Sequence, residues 1–183
     1  MWQLVVIAVV VVAAIMSYNS LVRLRETSEA AWADIDVQLK RRYDVIPNIV
    51  ETVKGYAKHE KETLESVVAA RSGAVSARGP GARAQAEGAL AGAMNSLFAL
   101  AEAYPDLQAA GGFRDLQSTL GQIESQFSEA RRHYNTVVRE FNTKTQTFPS
   151  VFIARSFGFT EREFFEVAEA ERAVPKVSFG DDD

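Results

Sequence analysis

No stretch of this chain restricts its fold more than Phe113 to Phe148. Phe113, Leu116, Leu120, Ile123, Phe127, Ala130, Tyr134, Val137 and Phe141 place an apolar or aromatic side chain every three or four residues, the stripe of a helix with one buried face. No proline or glycine cluster interrupts it before Pro149, and at the usual rise per residue it extends about 50 Å, much longer than an average globular helix. A single stripe cannot be buried alone. Partners of similar length must run beside it, so the chain is expected to be all-α, an antiparallel helical bundle.

The N-terminus supplies a different kind of helix. Leu4 to Met16 holds only apolar side chains, and with Trp2 and the continuation through Tyr18, Leu21 and Val22 it reaches the roughly 17 to 25 residues of a spanning segment. Trp2, Leu4, Ile7, Val10, Ile15 and Tyr18 mark this anchor over 1–22, with aromatic rings at its two ends where they favour the lipid–water interface. A cleaved signal peptide is the competing reading. It is disfavoured by the lack of Lys or Arg before the apolar run and of a small-x-small pattern directly after it. Basic residues follow the span (Arg23, Arg25, Lys40, Arg41, Arg42) and none precedes it, which predicts an outward N-terminus and a cytoplasmic bundle.

Helical spacing continues without a breaker through Leu21, Leu24, Ala31, Trp32, Ile35, Leu39 and Ile46, so the anchor is expected to run into the first bundle helix, which Pro47 should end or kink. Ile49, Val53, Leu64, Val67 and Val68 mark a second helix. The Ala/Gly/Arg-rich segment Ser72 to Gly88 reads as the loop that follows. A third helix carries Leu90, Met94, Leu97, Leu100 and Tyr104 and closes at Pro105. The bundle thus occupies 23–149, and 150–183 is a Phe-rich tail. Thr160 and Glu163 have the spacing of a capping box, which predicts a short helix near Thr160 to Ala170, ahead of a disordered acidic end. Phenylalanines at this density must cover something, the bundle's own end before a neighbouring subunit or the membrane surface, and Phe152, Phe157, Phe159, Phe164 and Phe165 are the candidate interface residues.

Charged and polar residues recur at core spacing. Glu124, Arg131, Asn135 and Asn142 share one flank of the long helix; Glu60 and Arg71 lie on the second helix, Arg42 on the first, Glu102 on the third. A half-buried charge is costly unless paired, so these residues are expected to bond between helices. A catalytic reading finds no support in the pattern. There is no cysteine, no Glu-x-x-His for a di-iron bundle, and His59 and His133 are the only histidines. No cofactor is expected. With 20 basic against 24 acidic residues and no basic run, the footprint of a nucleic-acid binder is also missing.

Several strings resemble the LemA family of bacterial membrane proteins: Tyr18-Asn19, Val37 to Asn48, Val53 to Glu60, Ala70-Arg71, Glu102 to Leu107, Phe113 to Leu116, Ala130-Arg131 with Tyr134-Asn135, and Phe148-Pro149 with Phe157-Gly158-Phe159. The resemblance implies a bacterial inner-membrane, single-pass protein with a mirror-type up-and-down four-helix bundle, and it brings no established enzymatic activity. The expected function is structural, a self-associating scaffold in contact with membrane lipid that organises or curves the membrane. An adaptor for another membrane protein, such as a protease, is the alternative.

Overall fold

The computed structural model describes residues 1–166. Among these the chain is all-helical and without strands, in six helices: α1 (Trp2–Tyr56), α2 (Lys61–Ser76), α3 (Pro80–Glu102), α4 (Pro105–Ala109), α5 (Gly111–Gln146) and α6 (Ser150–Ser156). Phe179 and the acidic end at 180–183 lie outside the described residues, as does the last part of the helix expected near Thr160 to Ala170.

One helix of 55 residues, α1, carries both the apolar segment and the start of the packed region. It is long and apolar enough to cross a membrane, and Leu4, Ile7, Val10 and Ile15 touch little else in the protein. Burial begins at Leu21 and then recurs at Ser28, Ala31, Ile35, Leu39, Ile46, Ile49 and Val53.

Pro47 does not end α1, which was one of the two outcomes expected of it. In a helix, the amide that Pro47 lacks would donate to the carbonyl of Tyr43. Arg71 of α2 takes that role, its Nε donating to Tyr43 O at 2.7 Å. The carbonyl left free by proline is thus satisfied from a neighbouring helix, and α1 runs on to Tyr56. The turn comes at Ala57–Glu60.

The loop expected over Ser72 to Gly88 is also mostly helix. Only Ala77, Arg78 and Gly79 fall between α2 and α3; Gly79 adopts φ 80°, a left-handed value suited to glycine, and Pro80 opens α3 where no amide partner is needed. Alanine is the strongest helix former and lets backbones approach closely. Ala74 and Ala84 are accordingly buried, although they offer little side chain to read as a core.

α1 and α5 run antiparallel along each other. Arg41 Nη1 donates to Gln126 at 2.8 Å, the rings of Trp32 and Tyr134 are 5.3 Å apart, and Lys144 Nζ donates to Ser20 Oγ at 2.5 Å. The α5 stripe faces the core, with Phe113, Leu120, Ile123, Phe127, Tyr134, Val137 and Phe141 all buried. The α2–α3 hairpin covers this pair from the α1–α2 turn only as far as Asp36, which Arg83 of α3 meets in an ion pair. Below that level the cover is α6 and the chain that follows. A main core gathers Ile35, Leu39, Ile46, Leu90, Leu97, Phe113 and Phe127; a smaller one gathers Leu21, Phe141 and Ala154, with Leu24, Ile153 and Phe159 packed on it.

The segment after α6 corrects a further expectation. Thr160 to Glu166 forms no helix. Its backbone groups are bonded to side chains of α5, described below, and those bonds replace the ones an internal helix would have made.

Candidate functional site

Three features stand out above the packed scaffold, beginning with a buried charge cluster. Arg42 and Glu87 are 5% and 2% exposed, and Arg42 Nη1 donates to Glu87 Oε2 at 2.9 Å. The Tyr43 hydroxyl donates to the other oxygen of Glu87. The same Arg42 nitrogen lies 3.1 Å from Glu124 of α5, a half-exposed partner, so one guanidinium ties α1 to both α3 and α5. Its Nε has no hydrogen-bond partner. Burial pushes the Glu87 carboxyl above its ordinary range, against the pull of its bond to Tyr43 and of Arg42. The Tyr43 hydroxyl is raised too, first by burial and then by the carboxylate it bonds.

The second feature is a strap. Asn142 donates from Nδ2 to Arg162 O and accepts from Arg162 N, both at 2.9 Å; Asn135, two turns earlier on α5, treats Phe165 the same way at 3.0 and 2.9 Å. Each asparagine amide mimics a backbone peptide and pairs both polar groups of one tail residue. Between them the Tyr134 hydroxyl, its pKa raised by burial, donates to Glu163 O at 2.9 Å. Arg162 reaches Glu29 of α1 at 2.6 Å, and the Glu163 carboxylate lies 3.5 Å from Gly81 N in the first turn of α3. The strap thus fastens α1, α3 and α5 together.

Third, the aromatic residues of the tail divide into two groups. Phe165, 1% exposed, sits in the main core against Trp32 and Phe127; Phe164 packs on that core and Phe159 on the smaller one, beside Phe141. These three cover their own protein, as the favoured reading of the tail has it, and of the five candidate interface residues they are the ones not left over for a partner. Phe152 and Phe157 remain exposed, together with Phe148, and Phe157 rests on Tyr18 at the end of the apolar segment with ring centroids 4.8 Å apart.

The expected polar residues are brought together unevenly. Arg42 and Glu124 meet. Arg71 bonds a carbonyl of α1 instead of an acid, and Glu60 accepts from the Tyr104 hydroxyl at 3.4 Å. Arg131 lies over the Phe127 ring at 5.9 Å, Glu102 is exposed on the last turn of α3, and Asn135 and Asn142 hold the tail instead of another helix. Glu87, the centre of the cluster, is absent from the sequence expectation. It was detectable: continuing the Leu90, Met94, Leu97 stripe backwards leads to Glu87 and Ala84 at helical spacing. His59 and His133 are both exposed. Among the described residues no three His, Asp or Glu side chains gather where they could hold a metal ion.

A model of the LemA family matches residues 31–179. Among curated proteins, magnetosome protein MamQ 2 of Paramagnetospirillum magneticum is 24% identical over 178 residues, covering 83% of this chain and 65% of the relative. Magnetosome protein MamQ of Magnetospirillum gryphiswaldense is 23% identical over 177 residues, covering 82% and 65%. Protein LemA of Metamycoplasma hominis is 27% identical over 158 residues, covering 84% and 71%. The chain spans less than two thirds of the length of the MamQ relatives it matches. The family match takes in the charge cluster, the α2–α3 hairpin, the asparagine strap and the aromatic tail alike, and on that extent the chain belongs to the LemA family.

Proposed function

We propose that this protein is a non-enzymatic, single-pass component of the bacterial inner membrane that self-associates into a scaffold organising or curving the bilayer. The observation that carries the reading is α1: a segment apolar on every side leaves the packed region without a joint, so any force on the packed helices is transmitted directly to the lipid-embedded part. In this reading α1, α2, α3 and α5 form a mirror up-and-down four-helix bundle over 23–149, standing on the anchor at 1–22 and covered by the tail at 150–183. The basic residues that follow the span favour a cytoplasmic bundle. The charge cluster serves architecture: a guanidinium shared by two carboxylates of different helices fixes their register, and among the described residues no third His, Asp or Glu joins them in a group that could hold a metal ion. The naming of two relatives for the magnetosome fits a part in membrane organisation.

The test is chemical cross-linking and native mass measurement of the full chain in mild detergent. Discrete oligomers are expected, and a strict monomer at high protein concentration would overturn self-association. A second reading, an adaptor for another membrane protein, is favoured by a groove between α1 and α2 at the end of the bundle remote from the anchor. Lys54, Lys58, Lys61, Glu51 and Glu65 line it together with the apolar Val50, Leu64 and Val68. Loss of a co-purifying membrane protein on Val68→Glu, with oligomers intact, would favour the adaptor.

A further inference from the structure

Every exposed phenylalanine among the described residues falls between Phe148 and Phe157. Phe148, Phe152 and Phe157 are 82%, 61% and 62% exposed, while Phe98, Phe113, Phe127, Phe141, Phe159, Phe164 and Phe165 are buried or half-buried. Aromatic rings gathered at one place and left uncovered mark a contact surface, because scattered exposure would need no account but a cluster does. Their position says what the surface meets. Phe157 rests on Tyr18, the last aromatic of the apolar segment, and Phe148 packs edge-on against Phe152 at 6.1 Å. Lys144, at the end of α5, bonds Ser20 and shares a groove with Met16, Asn19 and Arg23. The exposed rings therefore continue the surface of the spanning segment at the height where it leaves the bilayer.

Charge at this height agrees. The protein has a formal net charge of −4, yet basic side chains are in excess at this end: Arg23, Arg25, Arg139, Lys144 and Arg155 stand against Glu26, which pairs with Arg25, Glu140, which shares a groove with Arg23 and Lys144, and Glu161. Apolar aromatic rings beside the exposed Arg23 and Arg155 and the half-buried Lys144 suit the boundary between acyl chains and anionic headgroups, where each group finds its own solvent.

We propose that α6 and its flanks form a foot lying in the lipid–water interface, with Phe148, Phe152 and Phe157 immersed at the headgroup–acyl boundary and Arg23, Lys144 and Arg155 facing anionic headgroups. This rests on the anchor reading and adds a second attachment to it. One helix alone can tilt and rotate about its crossing point. A foot beside it fixes the angle at which the packed helices stand, which a scaffold that sets curvature requires.

The chain has no cysteine, so a single introduced thiol is a unique label site. Phe152→Cys carrying a polarity-sensitive fluorophore, on the full chain in phosphatidylcholine vesicles with a minority of phosphatidylglycerol, is titrated with lipids bearing a spin-label quencher at shallow or deep acyl positions. The label at 152 is expected to be quenched about threefold more than one at Ser118→Cys, on the exposed side of α5 away from this end, and more by the shallow quencher than by the deep one. Replacing phosphatidylglycerol by phosphatidylcholine should weaken that quenching. Equal quenching at 152 and 118 would overturn the foot, and so would a label at 152 that stays shielded from lipid quenchers at every protein density. Val9→Cys reports the anchor separately. Deep quenching there with none at 152 removes the foot alone, whereas no quenching at Val9 removes the anchor reading itself.

Discussion

The two halves of the α1–α5 pair are covered in different ways. From the α1–α2 turn to Asp36 the cover is a helical hairpin, α2–α3, which satisfies its own backbone internally and meets the pair through side chains. From Trp32 down to Ser20 the cover is α6 and an irregular strap, whose peptide groups depend on Asn135, Asn142 and Tyr134. The hairpin can accept a buried ion pair at Arg42 and Glu87 because that is a matter between side chains. The strap has no such independence: remove an asparagine and two backbone groups lose their partners at once. Cover by helix spreads its stability over many contacts, and cover by strap concentrates it in a few bonds and two aromatic anchors.

This contrast can be tested by substitution, with thermal unfolding of the full chain in mild detergent followed by circular dichroism. The largest loss is expected at Phe165→Ala, about 4 kcal/mol, because the ring fills the core where strap and helices meet. A loss below about 1 kcal/mol would mean that the strap contributes little to the fold. Next is Glu87→Ala, about 3 kcal/mol, since it leaves the Tyr43 hydroxyl without its acceptor and Arg42 with only the half-exposed Glu124.

Glu87 also predicts a pH dependence. Its folded pKa is raised above the ordinary 4.5. A raised folded value means that its contribution to stability is full below 4.5 and is lost as pH rises through the folded value. Relative to Glu87→Gln, which cannot ionise, the natural chain should therefore gain stability on acidification. A difference independent of pH would contradict the assignment.

Asn142→Ala is expected to cost about 2 kcal/mol by orphaning the amide and carbonyl of Arg162, and hydrogen exchange should rise locally in 160–166 before the helices respond. Equal exchange along the whole chain would erase the distinction between strap and hairpin. The smallest effect is a coupling. Arg71→Ala should cost about 1 kcal/mol in the natural chain and less beside Pro47→Ala, because an alanine amide at 47 bonds the Tyr43 carbonyl that Arg71 otherwise serves.

The sequence was most legible where one helix alone decides the pattern. The α5 stripe, the apolar run from Leu4 to Met16 and the helical character of the described residues follow from spacing and composition. Legibility failed where a local signal was answered from elsewhere. Pro47 is a helix terminator by every local rule, yet α1 runs past it, and the Tyr43 carbonyl it leaves free is met by Arg71, 28 positions further along the chain. Ala74 and Ala84 look featureless, and are buried because two helices approach closely there. Thr160 and Glu163 have capping-box spacing, yet Glu163 turns its carboxylate to α3 while its carbonyl accepts from Tyr134. Asn135 and Asn142 were visible as polar residues at core spacing; that they hold the tail was not.

What the chain settles by itself is that it is mostly helical, which face of the long α5 is apolar, and that the run from Leu4 to Met16 has no polar side to offer water. Periodicity is a property of neighbouring residues, and burial of a stripe needs only some apolar partner. Tertiary structure alone decides which carboxylate Arg42 receives, where the tail lies and which phenylalanines stay outside. Those outcomes depend on donors and acceptors lying up to 133 positions apart, as Glu29 and Arg162 do, and no local pattern records which of many such pairs closes.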